Sequence, residues 1–248
     1  MRTRRFLLSF VSIIILFWGD VEAYKTKVIS AKNEFGGRTV EKVVTPEDAK
    51  DITDLQGHPI KDAESDVTKF VDYYDSSDEV VKSEVFFTDK FADESKIKRT
   101  IYFLDNKLKK MTKEENFYTD KYADESGVSQ GVVYFDSNGK KTKAKYSHTG
   151  KYTDKYGIVK SIRYYDTQGR TARKEQFFTD KYTDEKGVYR FIRYYNDNDK
   201  VTKEEAFYTA KYADENGFNK GIAYKDSDER ETKEEFYMND RLVKTINR

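Results

Sequence analysis

The sequence predicts an all-β fold in which tandem antiparallel β-hairpins, each about 30 residues long, form an extended meander or solenoid-like sheet. Three observations predict this fold. Two short motifs recur with one period, the segments between them alternate with the period of a β-strand, and the repeated segments contain no proline that would interrupt a strand ladder.

The first motif is an aromatic pair followed by Thr-Asp-Lys and two further acids, with a worn copy around Ser147 to Lys155 and one acid replaced at Ala210. Its threonines are spaced by 31, 30, 30 and 30 residues, at Thr88, Thr119, Thr149, Thr179 and Thr209. Such constant spacing indicates repeated structural units. The motif links one hairpin to the next, as either a wide loop or a single helical turn capped by the threonine.

The second motif ends a predicted strand with two bulky residues and Asp or Asn, as in Tyr134-Phe135-Asp136 and Tyr164-Tyr165-Asp166. Turn residues follow, most clearly in Asp136-Ser137-Asn138-Gly139. Asp caps its own backbone in such turns, and Gly accepts a positive φ. The motif therefore predicts the tip of each hairpin.

The strand before the tip has one face that repeats closely and one that varies. The regular face carries Val71, Ile101, Val132, Ile162, Ile192 and Ile222, followed two residues later by Tyr or Phe. The variable face carries Asp72, Tyr102, Val133, Arg163, Arg193 and Ala223. We expect the regular face to be packed and any function to lie on the variable face and in the acidic links.

The return strand places Lys82, Glu84 and Phe86 on one face, and later repeats do the same. If hairpins stack in register, each Lys should lie near a Glu of a neighbouring strand. Such cross-strand pairs contribute about 0.2 to 1 kcal/mol each and mainly set the register.

The chain divides into four predicted regions. Residues 1–23 have the basic start, apolar run and small residues of a signal peptide, which predicts export to the periplasm, cell surface or medium. Residues 24–69 form a divergent segment with degenerate repeats, including a turn at Asp54-Leu55-Gln56-Gly57. Residues 70–235 are the repeat array, and 236–248 are capping strands around Asn239-Asp240. No transmembrane segment is expected after signal cleavage.

Composition narrows the function classes. The 46 Lys and Arg balance 45 Asp and Glu, and both signs alternate along the chain, so a nucleic-acid partner is not expected. Without cysteine there is no disulfide framework, thiol nucleophile or Cys-based zinc site. The 20 Tyr and 17 Phe supply the apolar surface that an ordered fold needs.

Few residues suit catalysis. The two histidines, His58 and His148, fall in a turn and in a position held elsewhere by Phe or Tyr. Acidic residues are abundant, which leaves a secreted hydrolase with a catalytic acid pair as a third hypothesis. However, the acids recur evenly with the repeat, whereas an active site needs one group of residues that differs from the repeated pattern. We expect no enzyme and no cofactor.

The links offer a possible calcium site, because carboxylate oxygens are the ligands that Ca²⁺ prefers. The candidate ligands are Asp89, Asp93, Glu94, Asp120, Asp124, Glu125, Asp180, Asp184 and Glu185. The alternative is a set of solvated acids.

An aromatic column on the variable face is the candidate binding site. It comprises Tyr74, Phe135, Tyr165 and Tyr195, which could contact sugars or a partner surface. The alternative is that these rings pack on neighbouring hairpins.

The segments Val133 to Lys140 and Arg163 to Arg170 resemble the strand-and-turn core of bacterial hairpin repeats. These are MORN-like repeats, the YD repeats of RHS-type proteins, and glucan- or choline-binding repeats. The resemblance implies stacked antiparallel hairpins used for binding or display. We therefore expect a non-catalytic binding or structural module with a protein or surface-polysaccharide partner, and carbohydrate or cell-wall binding through the tyrosines as the alternative.

Overall fold

A computed structural model describes residues 25–43, 67–107 and 110–248. The strands among these residues form one open sheet whose order follows the sequence from first to last, with antiparallel neighbours throughout. The predicted all-β meander is confirmed, in its open form. The predicted signal peptide at 1–23, the turn at Asp54-Leu55-Gln56-Gly57 and His58 lie outside the described residues.

Fifteen strands and five helices occur in the described residues. The strands are β1 (Lys25–Ser30), β2 (Gly36–Val43), β3 (Val67–Asp75), β4 (Val80–Phe87), β5 (Ile97–Asp105), β6 (Lys110–Tyr118), β7 (Val128–Phe135), β8 (Lys141–His148), β9 (Ile158–Tyr165), β10 (Thr171–Phe178), β11 (Val188–Tyr195), β12 (Val201–Tyr208), β13 (Lys220–Lys225), β14 (Glu231–Met238) and β15 (Arg241–Asn247). The helices are α1 (Asp89–Ser95), α2 (Asp120–Ser126), α3 (Gly150–Tyr156), α4 (Asp180–Lys186) and α5 (Ala210–Asn216).

Each hairpin tip is closed by its own Asp or Asn. In the β9–β10 turn, Asp166 Oδ1 accepts hydrogen bonds from the backbone N–H groups of Gln168, at 2.8 Å, and Arg170, at 2.9 Å. The bond from Arg170 is the main cause that lowers the pKa of Asp166. Gly169 adopts a φ of 80°, as the turn requires. The predicted turn chemistry is confirmed.

The links are short helices, so the second of the two predicted alternatives is correct. Thr179 caps α4, because its side chain accepts a hydrogen bond of 3.1 Å from the backbone N–H of Tyr182. Gly187 ends the helix in the left-handed conformation. The Thr179 backbone N–H also donates to the carbonyl of Gly157, which ends the preceding helix, at 2.7 Å. Thr119, Thr149 and Thr209 donate equivalent bonds to the residue that ends the helix before each of them. The helices therefore form a second ladder of hydrogen bonds along one side of the sheet.

On the regular face, the lysines of the return strands do not pair with glutamates across strands as expected. Lys82 lies opposite Tyr73 on one neighbouring strand and Phe103 on the other, whereas Glu84 lies opposite Val71. The Lys82 ammonium reaches Glu84 along its own strand, at 3.0 Å, and lies 4.0 Å from the centre of the Tyr73 ring. Lysines on this face therefore gain cation–π contacts across strands, worth about 0.5–1 kcal/mol each where partly exposed, in addition to ion pairs along strands.

Glutamates in the middle of the regular face are buried between the apolar side chains. Glu175 is 2% exposed and lies 2.8 Å from Arg173 Nη2 and 3.0 Å from Arg190 Nη2. Ile162 and Ile192 flank it on β9 and β11 and are buried as well. The Glu175 carboxylate thus has a cation on each side, which offsets part of the cost of burying its charge.

Both ends of the sheet are hairpins without a following described helix. β1 pairs with β2 inside the segment that the sequence predicts to hold degenerate repeats. β14 and β15 are joined by Asn239 and Asp240, both at positive φ, where a terminal strand pair is predicted. No helix in the described part of the chain has the length and apolar character to cross a membrane.

Candidate binding face

The predicted aromatic column occupies one register position on the variable face. Tyr74, Phe135, Tyr165 and Tyr195 each lie at or next to the end of the first strand of a hairpin, and all four are partly exposed. Equivalent positions two strands apart are separated by about 10 Å, twice the spacing of neighbouring strands. Leu104 takes the position between Tyr74 and Phe135, so the continuous part of the column runs from Phe135 to Tyr195.

Polar groups surround the column and hold its tyrosines. Burial raises the pKa of Tyr146, and the neighbouring Tyr165 raises it further. Burial also raises the pKa of Tyr195, against the opposing effect of Arg193 and Arg163. The guanidinium of Arg38 lies 4.8 Å from the centre of the Tyr74 ring. Part of each ring surface stays accessible.

A row of three cations crosses the variable face beside Tyr165 and Tyr195. Lys174 on β10 lies directly opposite Arg163 on β9 and directly opposite Arg193 on β11. Arg163 and Arg193 stand among the varying residues that the sequence shows at one period, but Lys174 comes from a return strand. Sequence reasoning missed the row because only the strand register places Lys174 between them.

The cation row borders a shallow cavity of about 210 Å³. Its lining comprises Arg163, Thr171, Lys174, Tyr195 and Asp199. A hydroxyl, an aromatic ring and two cations thus converge on one concave surface, with Asp199 in the β11–β12 turn as the acidic member. This combination suits a ligand that has both an anionic group and a flat apolar surface.

The acids predicted as calcium ligands lie on the helices and are exposed: Asp89, Asp93, Glu94, Asp120, Asp124, Glu125, Asp180, Asp184 and Glu185. Asp120 forms an ion pair with Lys98 at 3.1 Å. In the part of the chain that the structure describes, no three His, Asp or Glu side chains are grouped so that they could hold a metal ion. Calcium binding by these acids stays an untested alternative to a set of solvated acids, without a preformed ligand group in those residues.

His148 belongs to the packing between repeats. Its ring nitrogens lie 3.0 Å from the carbonyl oxygen of Gly127 and 3.0 Å from Ser161 Oγ, and its ring stacks on Tyr152. Burial lowers the pKa of His148, which favours the neutral imidazole. In other repeats the same stacking position is taken by Phe178 on Tyr182, so His148 substitutes for an aromatic ring.

Comparison with models of known protein families gives no match, and comparison with curated proteins gives no significant match. No known family therefore indicates what the variable face binds.

Proposed function

We propose that the chain is an exported, non-catalytic binding module that contacts its partner through repeated positions on the variable face. One observation carries this proposal: aromatic rings recur at a single register position, partly exposed, on a sheet that no second layer of described residues covers. One accessible ring in a single repeat would not indicate a binding surface. Rings left accessible at the same place in successive repeats provide an extended contact surface.

The distribution of acids supports a non-catalytic role. The buried glutamates of the regular face recur from hairpin to hairpin with cations beside them, as Glu84 does with Lys82 and Glu205 with Lys203. The exposed acids of the helices recur in the same way. A hydrolase that uses an acid pair needs two carboxylates in different environments at one place, so that one stays protonated. Acids that recur in the same environment in every repeat do not provide such an unequal pair.

A second candidate function is carbohydrate or cell-wall binding. The observation that favours it is the even spacing of Phe135, Tyr165 and Tyr195, because flat rings at a constant interval suit a polymer that is itself repetitive. A protein partner would need no constant interval. The two candidates share the same surface and differ in the ligand that it retains.

The experiment compares retention of a partner by matched variants. The mature chain, a Tyr165→Ala/Tyr195→Ala variant and a Tyr156→Ala control are immobilised and exposed to the envelope fraction of the source cell. Tyr156 is 45% exposed but lies at the end of α3, away from the column. We expect the wild-type chain and the control to retain the same protein or polysaccharide and the double variant to lose it.

The contrary result would be equal retention by all three chains while circular dichroism shows that the double variant is folded. Phe135→Ala serves as an independent variant of the column if the double variant does not fold. Treating the retained material with protease or with glycosidases then identifies its class.

A further inference from the structure

The row Arg163, Lys174 and Arg193 is an unfavourable arrangement for the folded sheet. Like charges directly opposite each other on neighbouring strands repel. The same register row runs across the sheet from Asp72 to Glu234, and its other neighbouring pairs are oppositely charged or contain an uncharged residue. The repulsion is therefore confined to β9, β10 and β11.

Compensation within the protein is incomplete. The Arg193 guanidinium donates to Glu204 Oε1 at 2.7 Å, but Glu204 also binds Lys225, at 2.9 Å. Among the described residues no carboxylate pairs with Lys174, and the charged atoms of Arg163 face the Tyr146 ring, 5.7 Å from its centre. Burial lowers the pKa of Lys174, and the two arginines lower it further. Asp199 also lines the cavity, but among the described residues it forms no ion pair with any of the three cations. An anion placed here would therefore neutralise positive charge that the chain compensates only in part.

The surroundings indicate what carries the anion. Tyr195 and Thr171 line the same cavity as Lys174, and Tyr165 stands at the equivalent column position on β9. Guanidinium groups bind planar or tetrahedral oxyanions through paired N–H donors, and each arginine of the row is followed by a tyrosine ring two residues further along its strand, towards the hairpin tip. A row of rings beside a row of cations matches a chain of sugar rings with acidic substituents. An acidic peptide would use the cations but not the evenly placed rings.

We propose that Arg163, Lys174 and Arg193 bind the carboxylate or sulfate group of an anionic polysaccharide, whose neighbouring sugar rings contact Tyr165 and Tyr195. This inference rests on the proposed function, because it names the ligand class of the same face. Lys174 contributes the central contact, and the repulsion that it causes in the free protein is relieved when the anion binds.

The experiment uses the mature chain with two matched variants, Lys174→Met and Lys181→Met. Both remove one positive charge and keep an unbranched side chain, but Lys181 is exposed on α4, outside the cation row. The probes are polygalacturonate, which carries carboxylates, dextran sulfate, which carries sulfates, neutral dextran, and polyglutamate, which is an acidic peptide. Titration calorimetry measures affinity, and thermal unfolding without ligand measures stability.

We expect Lys174→Met to weaken binding of the anionic probe about ten-fold or more, the effect of losing one charge-assisted contact. The same substitution should raise the melting temperature of the free protein by about 1–3 °C, since it removes two like-charge contacts. Lys181→Met should change neither quantity. A residue with a purely structural role would not weaken binding and strengthen the fold at once. Carboxylate or sulfate preference follows from which polymer binds more tightly.

Equal affinity of the wild-type chain and Lys174→Met would overturn the assignment, and so would tighter binding of neutral dextran or of polyglutamate. Any of these results would leave the proposed function standing, provided that the column variant still loses its partner in the retention experiment. If Lys174→Met does not fold, Lys174→Gln replaces it in both measurements.

Discussion

The ring of Tyr182 lies against the backbone of Gly157, so that the helix of one repeat rests on the end of the helix before it. A methyl carbon built on Gly157 would lie 2.6 Å from Tyr182 Cγ, and Gly157 itself has a φ of 70°. The same relationship joins Gly127 to Tyr152. Close approach of ring and backbone therefore sets the distance between successive repeats on the helical side of the sheet.

Gly157→Ala should destabilise the protein more than Gly169→Ala. Both residues have positive φ, which costs about 1–2 kcal/mol for alanine, but Gly169 has open space where its methyl group would lie. The clash with Tyr182 should add about 1–3 kcal/mol for Gly157→Ala. Urea unfolding followed by circular dichroism measures both variants. Equal loss in the two would show that Tyr182 moves aside freely and that the helical contact does not set the spacing.

Thr179→Ala should lower the free energy of unfolding by about 1 kcal/mol, because the backbone N–H of Tyr182 loses its capping acceptor. Thr179→Ser keeps a hydroxyl and is the matched control, with little expected change. The measurement is thermal unfolding of the three chains under the same conditions. A serine variant as unstable as the alanine variant would mean that the threonine methyl group, and not the cap, stabilises this link.

Glu235 should make the protein sensitive to acid. Hydrogen bonds from Lys233, Tyr237 and Tyr224 lower the pKa of Glu235 to about 2. Because the pKa is lower in the folded chain than in the unfolded chain, this stabilisation is present above the ordinary glutamate value near 4.5 and is lost as the pH falls towards 2.

Glu235→Gln is the matched variant for this prediction, since glutamine keeps the shape and removes the titration. We expect wild-type stability to fall more steeply than that of the variant between pH 4.5 and pH 2, measured by urea unfolding at several pH values. Parallel curves would show that Glu235 titrates normally in the folded chain.

Millimolar Ca²⁺ should leave the melting temperature unchanged. A calcium ion takes about 6–8 oxygen ligands, and the exposed acids of α1, α2 and α4 are not grouped in threes with other acidic or histidine side chains of the described residues. A ligand that binds only the folded state must raise the melting temperature. A rise that disappears in an Asp180→Asn/Asp184→Asn variant would establish calcium binding by these helices.

The repeat and its local chemistry could be predicted from the sequence because both depend on neighbours along the chain. The turn at Asp166 and Gly169 and the cap at Thr179 involve residues within four positions of each other. The alternation of Ile162 and Tyr164 likewise depends only on strand geometry.

The sequence did not predict which side chains face each other on neighbouring strands. The expected pairing of Lys82 with a glutamate across strands is wrong, because the register places Lys82 opposite Tyr73 on β3 and Phe103 on β5. To predict the cation row, the register of β10 has to be known against both β9 and β11, because Lys174 lies opposite an arginine on each. A one-residue slip moves every side chain to the other face, so a period alone does not fix such partners.

Oxidative footprinting of the chain, with and without the partner that the retention experiment isolates, tests the central claim most directly. The method measures how readily each tyrosine and phenylalanine is modified, so it reports which rings the partner covers. We predict protection of Phe135, Tyr165 and Tyr195 together, with Tyr156 unchanged. Protection of Tyr164 and Tyr194 on the regular face, with the column left reactive, would contradict the claim that the variable face binds the partner.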